Sequence, residues 1–365
     1  MNIKSLLLGC GAALATVSGA QAADAIVAAE AAPIEYVRVC DAFGTGYFYI
    51  PGTETCLKLG GRVRYDMQIA DSYTAHSDDG WNKLTRAELW MDTASDSEYG
   101  ALKTKMILRW NWTTDGYFTG PSDDIFLGNT QAQLIWATIS IAGFEIGVGD
   151  SQFASYLGYA GNVINDDVIQ YGPEQQEERA QISYTYDPGN GFSAVFAVEN
   201  SGNNDPDSPT YRASTKYMPD LVAGAGYSAG SWSFKVVGGY DSVAEEGAIK
   251  ARVDGTFGGF TAFFMGGWNT DGSTTNVYAA GSNTYGVGWG DWAFWTGFTA
   301  PITEKLEADL QVAADDNNTL AIAANLRWMP LPGALIQPEV TYTKWDNDVV
   351  DSDQWNAMLR FQRDF

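Results

Sequence analysis

Basic residues recur at alternate positions in three short stretches: Lys58, Arg62 and Arg64, then Arg86, then Lys103, Lys105 and Arg109. Residues two apart share one face of a β-strand, so this spacing lines up like charges on one side of a sheet. Such a row does electrostatic work and makes no bonds. A packed interior would not tolerate it, whereas a wetted wall holds it readily and can discriminate among ions. Catalytic readings find less support. The one histidine, His76, falls in an expected loop, and no G-x-S-x-G elbow is present to activate a serine. The spacing of Cys40 and Cys56 fits no zinc pattern and no histidine is near them, so neither metal nor cofactor is expected. The acidic pairs Asp78-Asp79, Asp123-Asp124, Asp315-Asp316 and Asp346/Asp348 offer oxygen ligands that could hold Ca²⁺ or Mg²⁺, but they lack EF-hand spacing and read first as solvated charge in outer loops.

The elements that would position the charged rows show period-two patterning. Between Leu102 and Trp112 the even positions are Leu102, Met106, Leu108, Trp110 and Trp112, and the odd ones include Lys103, Lys105, Arg109 and Asn111. From Leu57 to Met67, Leu57, Leu59, Val63, Tyr65 and Met67 oppose Lys58, Arg62, Arg64 and Asp66. The last residues repeat the scheme, with Trp355, Ala357, Leu359, Phe361 and Phe365 against Asn356, Arg360, Gln362 and Asp364. Each strand therefore needs an apolar medium on one side and water on the other. A soluble sandwich would satisfy that need. Two features favour a membrane barrel instead: strands of about ten residues, and aromatics gathered near strand ends as interfacial girdles.

Sixteen such strands are expected, near 57–69, 83–94, 101–113, 130–140, 143–150, 178–187, 191–200, 221–228, 231–241, 248–256, 259–268, 291–300, 303–313, 319–329, 334–345 and 354–365. Short turns alternate with long loops at 70–82, 114–129, 151–177, 201–220, 269–290 and 346–353, provided that 210–217 is left as loop. The fold class is thus all-β, a 16-stranded antiparallel transmembrane barrel whose lumen holds water. Closure would set Arg360 on the last strand beside the first three, completing a basic wall. The longest loop carries Asp166, Asp167, Glu174 and Glu177.

Composition bounds the partners. The 365 residues hold 45 acidic against 21 basic groups, a formal charge of −24, which excludes a nucleic-acid binder and argues against a face docked on anionic lipid. With 45% hydrophobic residues the chain is too apolar to stay disordered. Residues 1–22 read as a signal peptide: Lys4, an apolar run through Val17, and Ala20-Gln21-Ala22 as the cleavage site. Cleavage removes Cys10. In the oxidising compartment beyond, Cys40 and Cys56 are most simply a structural disulfide in an N-terminal periplasmic segment, 23–56, ahead of the barrel at 57–365.

Several longer runs carry a family resemblance. Met1-Asn-Ile-Lys-Ser-Leu-Leu-Leu8, Glu35-Tyr-Val-Arg-Val-Cys40, Gly46-Tyr-Phe-Tyr-Ile-Pro-Gly-Thr-Glu-Thr-Cys56, Val63-Arg-Tyr-Asp66, Val163-Ile-Asn-Asp-Asp-Val168 and Arg360-Phe-Gln-Arg-Asp-Phe365 resemble the porins of alphaproteobacteria, the family of the Brucella outer-membrane porins. The resemblance spans essentially the whole chain. It implies a homotrimeric diffusion channel in the bacterial outer membrane for small hydrophilic solutes and ions, in contact with lipid and lipopolysaccharide. It also implies that Phe365 is the terminal aromatic read by the outer-membrane assembly machinery, and that the loop after the fifth strand folds inward to narrow the channel. Asp166, Asp167 and Glu174 would then face Arg62, Arg64, Arg86, Lys105, Arg109 and Arg360 across the constriction. The competing expectation is a plugged barrel serving as an adhesin or structural anchor. A plugged active transporter is excluded, because 23–56 is too short to fill a barrel.

Overall fold

Alternating apolar and polar residues build sixteen antiparallel strands. In chain order they are β1 Cys56–Ala70, β2 Trp81–Ser95, β3 Leu102–Thr113, β4 Gln133–Ile141, β5 Phe144–Asp150, β6 Glu178–Tyr186, β7 Phe192–Glu199 and β8 Asp220–Ala229. They continue as β9 Trp232–Asp241, β10 Glu246–Phe257, β11 Phe260–Asn269, β12 Trp292–Thr303, β13 Leu306–Asp315, β14 Thr319–Trp328, β15 Ala334–Asp346 and β16 Asp351–Asp364. The computed structural model describes residues 38–70, 81–113, 132–173, 178–200, 217–273, 276–282, 288–347 and 351–365. The expected signal peptide, His76, Asp78, Asp79, Asp123, Asp124, Glu174, Glu177, Asp348 and the segment 210–216 lie outside the described residues.

Every strand pairs with its successor, and β16 returns to β1 with Asp364 opposite Arg62 and Asn356 opposite Ala70. A closed ladder leaves no edge, so the backbone satisfies its own hydrogen bonds where lipid offers none. All sixteen expected strands are present, with ends displaced by a few residues. Two connections at the long-loop end are short, 242–245 and 316–318. Aspartate caps tighten both. The Asp241 carboxylate accepts from Val243 N and Ala244 N at 2.9 and 3.0 Å, and that of Asp315 accepts from Thr319 N at 2.9 Å. Asp315, expected as solvated loop charge, is only 3% exposed because it serves this turn.

Side chains sort by parity. Leu59, Val63, Ile69, Ile139, Ile182, Phe196, Phe234, Ile249 and Phe264 are exposed on the outer surface. Aromatics gather at its two ends: Trp232 against Phe257 and Phe260 against Phe298, at 5.1 and 5.3 Å between ring centroids, and at the other end Trp268 in register with Trp292. An apolar belt of this extent would be a liability in water and is what a bilayer requires. At the start of β1 the expected disulfide joins Cys40 to Cys56. The strand Phe48–Tyr49 folds back onto Leu57 and Cys56, and the Tyr47 ring lies 5.9 Å from the Lys58 ammonium.

The interior is not uniformly wet. After β5 the chain turns into the barrel through one helical turn, Gln152–Ser155, capped by Ser151 Oγ accepting from Phe153 N at 3.2 Å. Phe153, Tyr156, Leu157, Ile169 and Tyr171 of this loop pack with Val277, Tyr278 and Trp289 of the 270–291 connection, against Val195, Val222, Val237, Met265 and Trp295 of the wall. The loop strand Ile169–Gln170 also pairs with Gly281–Ser282 of that connection. The sequence pointed to a water-filled lumen narrowed by this loop, without a packed core inside it. The structure fills one side of it, because a loop carrying this many large apolar side chains must cover them when it enters the barrel. Wall glycines make the room: a Cβ would lie 2.6 Å from the Trp289 ring at Gly267 and 2.7 Å from the Tyr278 ring at Gly239.

Polar anchors hold the loop in place. Glu199, 1% exposed, accepts from Ser151 Oγ at 2.9 Å, Gln152 N at 2.9 Å and Tyr278 Oη at 3.1 Å. Glu339, 3% exposed, accepts from Ile164 N, from Asn165 N at 2.9 Å and from Asn165 Nδ2 and Asn325 Nδ2 at 3.0 Å each. Cations of β9 and β10 take the loop's carbonyls. Lys235 donates to Tyr156 O at 2.8 Å, Arg252 to Tyr159 O at 2.7 Å, and the buried Lys250 to Tyr171 O. Each bond satisfies an irregular backbone group that no strand can pair.

Two outcomes follow from this packing. Gly267→Val should force Trp289 aside and destabilise the folded barrel by about 1–3 kcal/mol, read as a lower temperature for loss of the compact form on a semi-native gel. Glu339→Ala leaves several buried donors unsatisfied, each costing about 1–3 kcal/mol. The barrel should still close, while single-channel recordings gain open-channel flicker that the wild type lacks.

Candidate functional site

β1, β2, β3 and β16 contribute alternate residues to one stretch of inner wall. Register sets Arg64 opposite Arg86, Glu88 between Arg62 and Arg109, and Arg360 opposite Asp66. The expected basic wall is consequently a ladder of both signs. Arg109 Nε lies 2.8 Å from Glu88, and Arg62 lies 3.0 Å from Asp364 and 3.9 Å from Glu88. Arg360 grips Asp66 with two nitrogens at 2.8 and 3.0 Å, and Arg64 reaches the same carboxylate at 3.0 Å. Arg86 differs, donating to Asn111 Oδ1 at 2.8 Å. Four guanidiniums thus share three carboxylates and a fifth, Arg86, meets an amide, which leaves the wall net positive.

Two aromatic rings brace this wall. The Lys105 ammonium lies 3.5 Å from the Trp136 ring centroid, and the Arg62 guanidinium 5.2 Å from that of Trp90. Cation–π contact orients a charge without neutralising it.

The anchored loop lies across from most of this ladder. Its described hydrogen bonds run to β5–β7, β9, β10 and β12–β16. At its tip Asn165 Nδ2 donates to Thr341 Oγ1 at 2.9 Å and approaches Met358 Sδ at 3.3 Å, one inward position before Arg360. The tip therefore abuts the β16 margin of the wall. Asp166 follows directly; its carboxylate accepts from Tyr171 Oη at 2.8 Å and its carbonyl from Gln311 Nε2 at 2.9 Å. Asp167 is exposed to the lumen, yet the protein enclosing it hinders hydration of the charge and raises its carboxyl above the usual range. Among the described residues no ion pair joins Asp166 or Asp167 to Arg62, Arg64, Arg86 or Arg109. At the barrel seam, Phe365 N and O both bond Gly61 at 3.0 Å.

Several contributors had not been singled out from the sequence. Asp66, Glu88 and Asp364 share the parity of the arginines they neutralise, and parity continued to β9, β10 and β15 would have turned Lys235, Lys250, Arg252 and Glu339 inward. Their partners depend on register and on the path of the loop.

Comparison with known proteins agrees with this architecture. Residues 24–363 match the porin subfamily. Porin Omp2b of Brucella canis and porin Omp2a of Brucella suis are each 43% identical to the chain, over 100% of both sequences. Among solved structures, the outer membrane channel DcaP of Acinetobacter baumannii superposes with a TM-score of 0.64 at 15% identity, over 86% of this chain and 99% of that one. OmpF of Salmonella typhi gives 0.61 at 9% identity, over 86% and 98%. Rhodopseudomonas blastica porin gives 0.57 at 14%, over 85% and 100%. These distant structures speak for the fold, the Brucella proteins for the lineage. Alike in sequence from end to end and closed into the same barrel, the chain is a member of the porin subfamily.

Proposed function

We propose that the filter of this channel is the section of lumen between the β1–β3 and β16 ladder and the tip of the loop 151–177. The protein is a general diffusion porin, an integral barrel of the outer membrane through which small hydrophilic solutes and ions pass passively. The observation that carries the filter is the division of the interior. One side is packed with loop and aromatic rings, and the other presents ion-paired guanidiniums to water. A solute passing between them meets fixed positive charge on the wall and Asp166 and Asp167 on the loop. Opposed charges of this kind set a transverse field in which polar solutes align their dipoles, while apolar ones must displace ordered water. Lys105 extends the positive side, and Glu174 is assigned to the acidic side by its place in the same loop.

The same reading covers assembly. A homotrimer is the proposed state, supported by kinship with porins, and lipopolysaccharide is the proposed neighbour of the outer loops. Phe365, hydrogen-bonded at the seam through both its N–H and its carboxyl end, is the proposed signal for the outer-membrane assembly machinery. Residues 1–22 are the proposed export signal.

Reversal potential in a salt gradient tests the filter. At about 8 Å in water each carboxylate is worth about 0.5 kcal/mol to a permeating cation. Asp166→Asn with Asp167→Asn should therefore lower the cation-to-anion permeability ratio roughly twofold to fivefold, less at high salt. An unchanged ratio would remove the loop from the filter. A pH titration gives a second check. Because the Asp167 carboxyl is raised, it takes up its proton at a higher pH than an ordinary aspartate, whose midpoint is about 3.9. Acidification should shift selectivity toward anions above that midpoint, and Asp167→Asn should reduce this early part of the shift.

A further inference from the structure

A second polar site lies away from the ladder, on the periplasmic side of the loop. Lys103 of β3, Ser140 of β4, Glu145 of β5 and Ser183 of β6 stand in one row across four neighbouring strands, all facing inward. They line a cavity of about 440 Å³ that the loop's helical turn roofs with Gln152 and Ser155 and that Trp136 walls. The short turn at Ala142 and Gly143 borders its lower end. Its volume falls within the range of small-molecule clefts, about 300–1,000 Å³.

The charges here behave differently from those of the ladder. The guanidiniums of Arg62, Arg64, Arg109 and Arg360 each have a carboxylate partner. Lys103 and Glu145 sit two strands apart, about 10 Å between backbones at ordinary strand spacing. Among the described residues neither forms an ion pair. Among the described residues Glu145 accepts from Ser140 Oγ alone, at 3.4 Å, a long bond. A positive and a negative group thus stand at opposite sides of one cavity, with hydroxyls between them and an aromatic wall.

We propose that this cavity is a transient binding subsite for small zwitterions, namely α-amino acids and dipeptides. The solute's carboxylate goes to Lys103, its ammonium to Glu145, and its amide or backbone polar groups to the hydroxyls of Ser140, Ser155 and Ser183. A neutral solute of the same size forgoes both charge contacts. An anion or cation gains one contact and meets the opposing like charge. Binding is weak by construction, because both charges stay in contact with water and each contact is worth little there. Weak binding suits a channel, where a solute must enter favourably and still leave.

The proposal rests on the lumen being open, and the experiment separates the two questions. Purified wild-type channels in planar bilayers are titrated with glycylglycine on both sides while the open-channel current is recorded. Conductance before addition establishes the channel. The subsite predicts current noise that rises with glycylglycine and saturates in the millimolar range, with no such rise for glycerol or glycolate. Lys103→Met and Glu145→Gln should each move half-saturation up about tenfold, with current steps before addition showing that each variant still forms a channel. Noise that never saturates, that appears equally with glycerol, or that is unchanged in both variants overturns the assignment. Should a variant not fold, the comparison of the three solutes on the wild type decides by itself.

Discussion

A backbone inside hydrocarbon has no water to bond, and this constraint organises the rest of the molecule. Sixteen strands meet it by closing β16 onto β1. Closure then fixes everything about parity: alternate residues must face lipid, so the others, charged ones included, must face inward. It also brings the two ends of the chain together. Arg360 reaches Asp66 and Arg62 reaches Asp364 across nearly the full length of the sequence, so these two rungs of the ladder exist only because the seam is made, while Glu88 joins Arg62 and Arg109 within β1–β3. The seam pairs are a consequence of closure, and because Asp66 and Glu88 are only 4% and 6% exposed, losing their guanidinium partners would leave buried carboxylates uncompensated.

Within that frame the interior divides into a packed side and a wet side. The loop after β5 brings its own apolar side chains and draws in the 270–291 connection to cover them. Buried Glu199 and Glu339 clamp the loop's start and its tip, and Lys235, Lys250 and Arg252 hold the carbonyls along its path. Rigid placement matters because a filter built on a drifting loop would blur any charge it carries. The anchors therefore connect fold and function more directly than the arginines do: remove them and the charges persist, but not in register with the wall.

Much of this was legible from residue order. The alternation in Leu57–Met67 and Leu102–Trp112 marks strands, two-faced patterning over about ten residues marks a membrane barrel, and leaving 210–217 as loop keeps every later strand in its direction. The placement of Lys58, Arg62, Arg64, Arg86, Lys105, Arg109 and Arg360 on the inner face follows from parity alone. Pairing does not. That Glu88 lies between Arg62 and Arg109, or that Glu339 receives the backbone of Ile164 and Asn165, depends on the stagger of strands and on a loop that crosses the lumen, and neither leaves a local pattern. The packed side was missed for a related reason. Phe153, Tyr156, Ile169 and Tyr171 are scattered through a Gly- and Asn-containing loop without periodicity, and the glycines that receive their neighbours, Gly239 and Gly267, look like ordinary strand glycines until Tyr278 and Trp289 are placed on them.

Passage depends above all on the wet side of the lumen being open from end to end. Single-channel conductance of the purified wild-type protein decides this directly. An open lumen predicts discrete, ohmic current steps whose size follows the bulk conductivity of the salt solution. A correctly folded, heat-modifiable barrel that inserts into the bilayer and passes no current would contradict it.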